Sequence, residues 1–355
     1  MKILKTQIEQ FMLFETLDID WASNINIISG NNNTGKTALL KLLYASIKAF
    51  HDIHNSKGEP TKEKSIETLV NKLNGCYRPD ANAVGRLVKR KRGSNRAEIE
   101  ILLEDSNSIK YGFGSMQTNR IDLLSYPDAS FKNVDGIYLP PKEIISAFEN
   151  FAALYSEYHI AFEEMYYDLA RILDRPLKKG PNTSEQNSVI RNLENILNGS
   201  IILSDKKFYL YVKDMGNFEM GLVSEGYRKL STIMYLILNG SLGKNSILFW
   251  DEPETNMNPK MIDPMVKAIV ELAKMGVQVF VTTHDYFVQQ GFGLAATYPQ
   301  NSHSKIDIKF ISLYKQDDQI QYEHSDTLHE LNNNPVMQEF DDLYSREQEK
   351  LNDFA

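Results

Sequence analysis

Apolar positions near the start of the chain alternate first with period two and then recur at helical spacing. KILKTQIEQF and TLDIDW alternate apolar and polar residues, which is typical of half-buried β-strands. NINIIS (residues 24–29) predicts a third short strand, and an apolar-periodic helix is expected directly after residue 37. A polar loop is expected over residues 51–65. The pattern therefore predicts a strand, strand, strand, helix order.

The middle of the chain predicts two hairpins around a helical stretch. AEIEILLEDSNSIKYGFGS has two alternating runs around the turn-forming residues 105–108, and IILSDKKFYLYVKD repeats that arrangement. Apolar residues recur at helical spacing over residues 142–176, and Pro176 ends the run. A loop at KKGPNTSEQNS and another helix reaching Asn198 follow. We expect a short helical insert at residues 142–199, with its aromatic stripe in the core.

Two later apolar runs are continuous rather than alternating. Residues 247–250 and 277–281 are typical of parallel strands buried on both faces. The first run ends in Asp251 and Glu252, and the second is followed by His284. Ligands of open α/β sheets bind at the carboxyl ends of the strands. These three side chains are therefore candidates for one site.

Composition narrows the class of protein. The 355 residues suffice for one large domain or two modest ones, and the formal net charge of −8 argues against nucleic-acid binding over the whole surface. The lone cysteine, Cys76, fits a reducing compartment. No run of the ~20 apolar residues that span a bilayer is present, and MKILKTQIEQF does not read as a signal peptide. We expect a soluble, cytoplasmic protein that contacts no membrane.

GNNNTGKT matches G-x-x-x-x-G-K-[ST] between a predicted strand and a predicted helix, which is the context that a phosphate-binding loop requires. Backbone N–H groups would surround the phosphates, the lysine would lie between the β- and γ-phosphates, and the threonine hydroxyl would bind Mg²⁺. NKLN (residues 71–74) lacks the aspartate of a guanine-specific motif and is interpreted as a polar helix face, so ATP is expected. The nucleotide-binding residues are Gly30, Asn31, Asn32, Asn33, Thr34, Gly35, Lys36 and Thr37.

The acidic strand end supplies the complementary chemistry. Asp251 would hold Mg²⁺ through water, and Glu252 would orient and deprotonate the attacking water. His284 would contact the γ-phosphate. The alternatives are acids that solvate a strand end and a surface histidine. His51 and His54 are interpreted as a surface face.

VSEGYRKL (residues 223–230) places a serine, a carboxylate and a glycine where a helix is expected to begin. Free N–H groups and the helix dipole favour an anion at such a start. Ser224 and Gly226 are therefore candidates for phosphate binding, whereas the carboxylate of Glu225 would repel a phosphate.

GNNNTGKT, VSEGYRKL, ILFWDEPETNMNP and VTTHD, in this order, resemble the motifs of ABC-type ATPase heads over roughly residues 1–315. The resemblance implies an α/β P-loop NTPase fold with a mixed sheet, an antiparallel β layer and a short helical lobe. It also implies a homodimer, or a higher homo-oligomer, in which two chains enclose two ATP molecules. Ser224, Glu225 and Gly226 would then lie at the partner's nucleotide, and NMNP resembles the loop that crosses the dimer axis.

Two departures from transporter heads narrow the resemblance. Glu225 and Tyr227 stand where transporter heads have a glycine and a glutamine, and a Ser-Glu-Gly signature resembles OLD-family and Septu-type defence ATPases, which are SMC-related. GIYLP runs into PPKE without the glutamine of transporter heads. About seventy residues follow the histidine strand, too few for the Toprim nuclease of OLD proteins. Glu225 could pair with a basic residue across the dimer or interact with its own helix dipole.

Two charged segments of the sequence each allow two functional interpretations. RLVKRKRGSNR, from Arg86 to Arg96, carries six basic residues in eleven; it could bind nucleic acid, or protect a strand edge against aggregation, which we prefer. The tail from Leu328 is acidic and amphipathic, and either packs on the head or docks another chain. Asp317 and Asp318 are interpreted as a turn.

We therefore expect a head formed by residues 1–141 and 200–327, a helical insert at 142–199 and a tail at 328–355. The expected activity is slow, partner-gated ATP hydrolysis that regulates or scaffolds a separately encoded effector, a nuclease or toxin, in antiphage defence. The alternatives are the ATP-binding subunit of an ABC transporter, an SMC- or RecF-like DNA-repair ATPase, and a non-catalytic assembly platform.

Overall fold

The computed structural model describes residues 1–158, 160–298 and 306–353. Its strands are β1 (Ile3–Phe11), β2 (Phe14–Asp20), β3 (Ile25–Gly30), β4 (Arg96–Leu103), β5 (Ser108–Gly114), β6 (Asp122–Ser125), β7 (Asp135–Leu139), β8 (Gly199–Ser204), β9 (Lys207–Val212), β10 (Gly216–Glu219), β11 (Ser246–Asp251), β12 (Gln278–Thr283), β13 (Ile308–Gln316) and β14 (Gln319–Ser325). Its α-helices are α1 (Lys36–Asn55), α2 (Lys62–Tyr77), α3 (Phe151–Tyr158), α4 (Glu164–Leu173), α5 (Ser184–Leu197), α6 (Glu225–Leu238), α7 (Ile262–Lys274), α8 (Tyr286–Thr297) and α9 (Pro335–Asp353).

A six-stranded mixed sheet forms the centre of the molecule, in the order β14-β13-β3-β12-β11-β7. Only β14 pairs antiparallel to its neighbour. Every residue of β3, β11 and β12 is buried, because these strands are covered on both faces. Their register brings the carboxyl ends to one edge, with Asp251 opposite Thr282 and Thr283 opposite Ser29.

Two smaller sheets accompany the central one. A five-stranded antiparallel sheet has the order β2-β1-β4-β5-β6, and a three-stranded sheet has the order β10-β9-β8. One hydrophobic cluster lies between α1, the five-stranded sheet and one face of the central sheet. The other joins the opposite face to α4, α5, α6 and α7. The fold is the expected α/β P-loop NTPase fold with a mixed sheet, an antiparallel β layer and a helical lobe.

The predicted loop over residues 51–65 is largely helical. Helix α1 continues to Asn55, and α2 begins at Lys62 behind a Thr61 cap that accepts a hydrogen bond from the Lys64 N–H. The surface interpretation of His51 and His54 was wrong. His51 is half-buried, with Nδ1 2.7 Å from the Val134 carbonyl oxygen, and His54 is also half-buried. NKLN lies in α2 as expected, but its Lys72 is buried in an ion cluster instead of lying on a polar surface.

The apolar run at residues 142–176, which predicted continuous helical spacing, forms separate helices in the structure. It comprises the short α3 and the ten-residue α4, and α5 follows behind a Thr183–Gln186 capping box. Phe148, Leu169 and Leu173 of the predicted stripe are buried in the core, whereas Phe162 is exposed. The predicted hairpins are present as β4–β5 and β8–β9, and Asp317 and Asp318 form the turn before β14.

Over residues 328–353, the acidic tail contacts the head near its beginning. The Asn334 amide donates to Gln289 Oε1 at 2.6 Å, and the Phe340 ring stacks on Tyr286 with centroids 3.9 Å apart. Beyond that contact, Tyr344 and Leu351 are exposed. Within the ranges that the structure describes, none of the helices combines the length and apolarity that crossing a bilayer would need.

Candidate functional site

The phosphate-loop motif connects β3 to α1 through backbone conformations that favour glycine. Gly30 has φ 148° and Gly35 has φ 95°. A Cβ on Gly30 would lie 2.2 Å from the Leu313 carbonyl oxygen, and one on Gly35 would lie 2.7 Å from the Phe14 ring. Both glycines are thus required by close approaches as well as by φ. The loop side chains of Asn31, Asn32 and Asn33 are exposed, and the Thr34 hydroxyl donates to the Asn31 carbonyl at 2.8 Å.

Lys36 lies folded over this loop. Its ammonium donates to the carbonyl oxygens of Gly30 at 2.8 Å and Asn31 at 2.9 Å. Burial lowers the pKa of Lys36, while the nearby carboxylates of Glu252, Asp251 and Glu254 act in the opposite direction. The cation is therefore held at the mouth of the loop, within the field of the acidic strand end.

Asp251 is the centre of a buried hydrogen-bond network. Its Oδ1 accepts from the hydroxyls of Thr37 at 3.0 Å and Thr282 at 2.5 Å, and its Oδ2 accepts from the Tyr138 hydroxyl at 2.9 Å. Burial raises the pKa of Asp251, and these three hydroxyl bonds oppose the rise. An ionised carboxylate beside a threonine hydroxyl offers the hard oxygen atoms that Mg²⁺ prefers, so the residues present fit this ion.

Glu252 and His284 lie beside that network at the sheet edge. Glu252 has φ 46°, and its N–H donates to the Thr282 carbonyl at 3.1 Å. Its Oε1 lies 3.1 Å from Nδ1 of His284. The two side chains are 24% and 47% exposed, so both can reach a bound molecule. A non-glycine residue in the left-handed region at such a position is typical of functional sites.

The VSEGYRKL segment begins a helix as expected. Ser224 is the N-cap of α6, but its exposed side chain makes no capping hydrogen bond. A Cβ on Gly226 would lie 3.4 Å from the Met257 side chain. Glu225 Oε1 lies 4.0 Å from Lys229 Nζ one turn later, which fits the interpretation of Glu225 as an acid at its own helix start. Among the described residues, no hydrogen bond joins this segment to the phosphate loop.

Two partners of Asp251 were missed by the sequence analysis. Thr282 lies inside the VTTHD run, and Tyr138 lies in the GIYLP strand. Their hydroxyls become relevant only because β7 and β12 flank β11 in the sheet. Hydrophobic patterns place these residues in strands but do not give the strand order. The threonine two positions before the predicted histidine was the available signal.

The sequence from residue 25 to residue 288 matches a family model described as "AAA domain, putative AbiEii toxin, Type IV TA system". This chain belongs to that family. A comparison with curated protein sequences gives no significant match. Because the family is one of P-loop ATPases, which bind ATP with Mg²⁺, the phosphate loop and the acidic strand end are the part of this chain where that chemistry is expected.

Solved structures of SMC head domains share the fold. An SMC head bound to the C-terminal winged-helix domain of ScpA has a TM-score of 0.56 at 13% identity, covering 92% of this chain and 98% of that one. An SMC head with an extended coiled coil, bound to the C-terminal domain of ScpA derived from Pyrococcus furiosus, has a TM-score of 0.52 at 11% identity, covering 96% and 99%. At this identity the likeness establishes the fold alone.

The segment after β7 carries a carboxylate with little exposure, that of Glu143. Glu143 is buried and accepts from Arg228 Nη1 at 2.6 Å and from the Ser146 hydroxyl at 2.5 Å. Arg228 belongs to α6, so this ion pair connects the end of the β7 strand to the VSEGYRKL helix. The sequence analysis noted the missing glutamine but not this ion pair.

The basic run from Arg86 to Arg96 is partly neutralised. Arg86 pairs with Asp80 at 2.6 Å, Arg96 pairs with Asp122 at 2.7 Å, and Lys89 and Lys91 both reach Glu15. The side chains of Arg90 and Arg92 are exposed. Val88 forms one antiparallel bridge to Phe11, and Arg96 begins β4, so the run meets the five-stranded sheet near both of its ends.

Proposed function

We propose that this protein is an ATPase head that binds ATP with Mg²⁺, closes with a second copy around two nucleotides and hydrolyses them slowly. The observation that carries the proposal is the cluster at the carboxyl edge of the central sheet. There Thr37 and Asp251 are hydrogen-bonded, and Glu252 lies within 3.1 Å of His284. These residues converge from the phosphate loop and from the ends of two strands, as ATP hydrolysis requires.

The chain's own groups would act as follows. Lys36 leaves the carbonyls of Gly30 and Asn31 for the β- and γ-phosphates, and the loop N–H groups of residues 30–37 enclose them. Thr37 and Asp251 would hold Mg²⁺, which supplies charge neutralisation when bound. Glu252 orients the attacking water and accepts its proton, because its carboxylate lies at the sheet edge and is partly exposed. His284, next to it, donates toward the γ-phosphate.

Closure with a second copy would use the start of α6. The exposed Ser224 hydroxyl and the first N–H groups of a 14-residue helix form a good anion-binding end. Gly226 lets this end approach Met257 of the NMNP loop, whose side chain lies 3.4 Å from where a Cβ on residue 226 would be. Glu225 is directed toward Lys229 of its own helix, which leaves Ser224 and Gly226 free to meet a phosphate.

The biological use that we propose is the control of a separately encoded effector in antiphage defence, by an ATPase of the OLD or Septu-like kind. The family description, which names a toxin of a type IV toxin–antitoxin system, supports such a two-component arrangement. Residues 1–141 and 200–327 would form the ATP-hydrolysing head. The insert at 142–199 and the tail at 328–355 would offer contact surfaces, and the exposed Arg90 and Arg92 would offer a contact for nucleic acid.

The test is co-purification of the tagged Glu252→Gln variant from its native host with ATP and Mg²⁺, with Lys36→Ala as the nucleotide-free control. We expect a stoichiometric partner of nuclease or toxin type on Glu252→Gln and its loss on Lys36→Ala. We also expect the wild-type protein to hydrolyse ATP and Lys36→Ala to do so undetectably. A permease as the partner would contradict the defence role, and wild-type protein without turnover would contradict the ATPase.

A further inference from the structure

Residues 252–257, here called the acidic loop, connect β11 to the segment before α7 in a strained conformation. Glu252 and Asn256 have φ values of 46° and 58° although neither is a glycine. The Thr255 N–H donates to the Glu252 carbonyl at 3.1 Å, and the Met257 N–H donates to the Glu254 carbonyl at 2.8 Å. Such conformations cost about 1–3 kcal/mol each and persist only where surrounding contacts impose them. The contacts that impose the conformation of the acidic loop come from α6 and from the end of β12.

On one side the acidic loop is held by α6. Lys229 lies one turn after Glu225, and its side chain is only 3% exposed. Its ammonium donates to the Pro253 carbonyl at 3.1 Å and to the Thr255 carbonyl at 2.7 Å. A buried ammonium that gives its hydrogen bonds to backbone carbonyls fixes those carbonyls, because losing them would leave the charge buried and unpaired. The start of α6 and the acidic loop are therefore held together by this ammonium.

On the other side the acidic loop is held to the end of β12 by Glu254. This carboxylate is 6% exposed, and its Oε1 accepts from the Thr283 hydroxyl at 2.6 Å and from the His284 N–H at 3.2 Å. Its Oε2 is buried without a partner among the described residues. Retaining a partly unsatisfied buried carboxylate costs stability, so a purely structural role explains it poorly. Its contacts instead fix the backbone from which His284 projects.

We propose that Glu254 and Lys229 are positioning residues that make the acidic loop a rigid link between the start of α6 and His284. The inference rests on the proposed function, in which α6 meets the partner's nucleotide while His284 and Glu252 meet the chain's own. The link then fixes the position of His284, whose Nδ1 lies 3.1 Å from Glu252 Oε1.

The test compares Glu254→Ala with Glu254→Gln in the full-length protein, by steady-state ATP hydrolysis and nucleotide affinity. Alanine removes the acceptor of Thr283 and His284, whereas glutamine keeps Oε1 in place. We expect Glu254→Ala to lower kcat by roughly 10- to 100-fold, the usual effect of losing an orienting contact, with KM and ATP affinity within about threefold of wild type. Glu254→Gln should restore kcat to within about threefold of wild type. Glu271→Ala is the matched control and should behave as wild type. It removes an acid of α7 whose ion-pair partner among the described residues is Lys274.

The Thr283→Val variant provides a second test of the proposal, because valine has nearly the same side-chain volume as threonine. It removes the 2.6 Å bond to Glu254 and should lower kcat in the same direction with unchanged ATP affinity. Wild-type kcat in Glu254→Ala, or equal loss of kcat and ATP affinity without rescue by glutamine, would overturn the inference. If Glu254→Ala does not fold, wild-type kcat in Thr283→Val overturns it instead. Absence of turnover in the wild-type protein would contradict the proposed function rather than this link.

Discussion

At the scale of a single residue, the function and the burial of Asp251 favour opposite charge states of its carboxyl group. Metal binding needs its carboxylate ionised, yet the side chain is almost fully buried and burial raises its pKa. A carboxyl group with a raised pKa in the folded state favours folding when protonated. That stabilisation is lost as the pH rises from the unfolded pKa through the folded pKa. At neutral pH the ionised Asp251 therefore lowers the stability of the nucleotide-free protein.

We accordingly predict that Asp251→Asn stabilises the nucleotide-free protein and abolishes Mg²⁺-dependent turnover. An amide keeps the Oδ1 acceptor for Thr37 and Thr282 and removes the buried charge, so we expect a gain of about 0.5–2 kcal/mol in the free energy of unfolding. Urea denaturation at pH 7 and again near pH 4 measures it, and the gain should shrink at the lower pH. A destabilised variant would show that the three hydroxyl bonds outweigh the cost of burial.

The residues predicted from sequence were those that belong to contiguous motifs. Gly30, Lys36 and Asp251 stand out because local spacing identifies them. Tyr138 and Glu254 do not, because their importance arises from contacts with residues far away in the chain. A single sequence contains no information on such contacts beyond hydrophobic patterns. Side chains that support a site are therefore harder to predict than those that belong to its motif.

At the scale of the element, strands were predicted more reliably than the ends of helices. The runs that became β3, β11 and β12 are bounded by turn residues and fully buried, so their pattern was unambiguous. The boundary between α1 and α2 was predicted wrongly, because the expected loop began at residue 51 whereas α1 continues to Asn55. In the structure Ile53 is buried and His51 bonds to Val134, so tertiary contacts extend the helix over polar residues.

The contact between α2 and α4 gives a prediction at this scale. Gly75 lies in α2, and a Cβ there would fall 1.7 Å from Glu164 Oε2, whose partner oxygen is bonded to the buried Lys72 at 2.5 Å. Gly75→Ala should therefore disturb this ion pair and lower the free energy of unfolding by about 1–3 kcal/mol, as overpacking does. Gly243→Ala, where a Cβ would meet its nearest atom only at 4.0 Å, is the control in the same urea titration. Equal stability of the two variants would contradict the packing account.

At the scale of the whole molecule, the order of the motifs was sufficient to predict the head fold. The central sheet brings together residues that are more than two hundred positions apart, as the 3.0 Å bond between Thr37 and Asp251 illustrates. The sequence could not decide how the tail packs, because the alternating acids and apolar residues of α9 suit either docking or exposure. In the structure the head covers the beginning of α9 and leaves Tyr344 and Leu351 exposed.

The central claim is that two heads close around ATP, and light scattering of the Glu252→Gln variant tests it most directly. This variant keeps the phosphate loop, Thr37 and Asp251 but lacks the base, so bound ATP should persist and hold the dimer. We predict about twice the monomer mass with ATP and Mg²⁺, and the monomer mass for Lys36→Ala, which lacks the phosphate-binding cation. An equally monomeric Glu252→Gln with and without ATP would contradict the account.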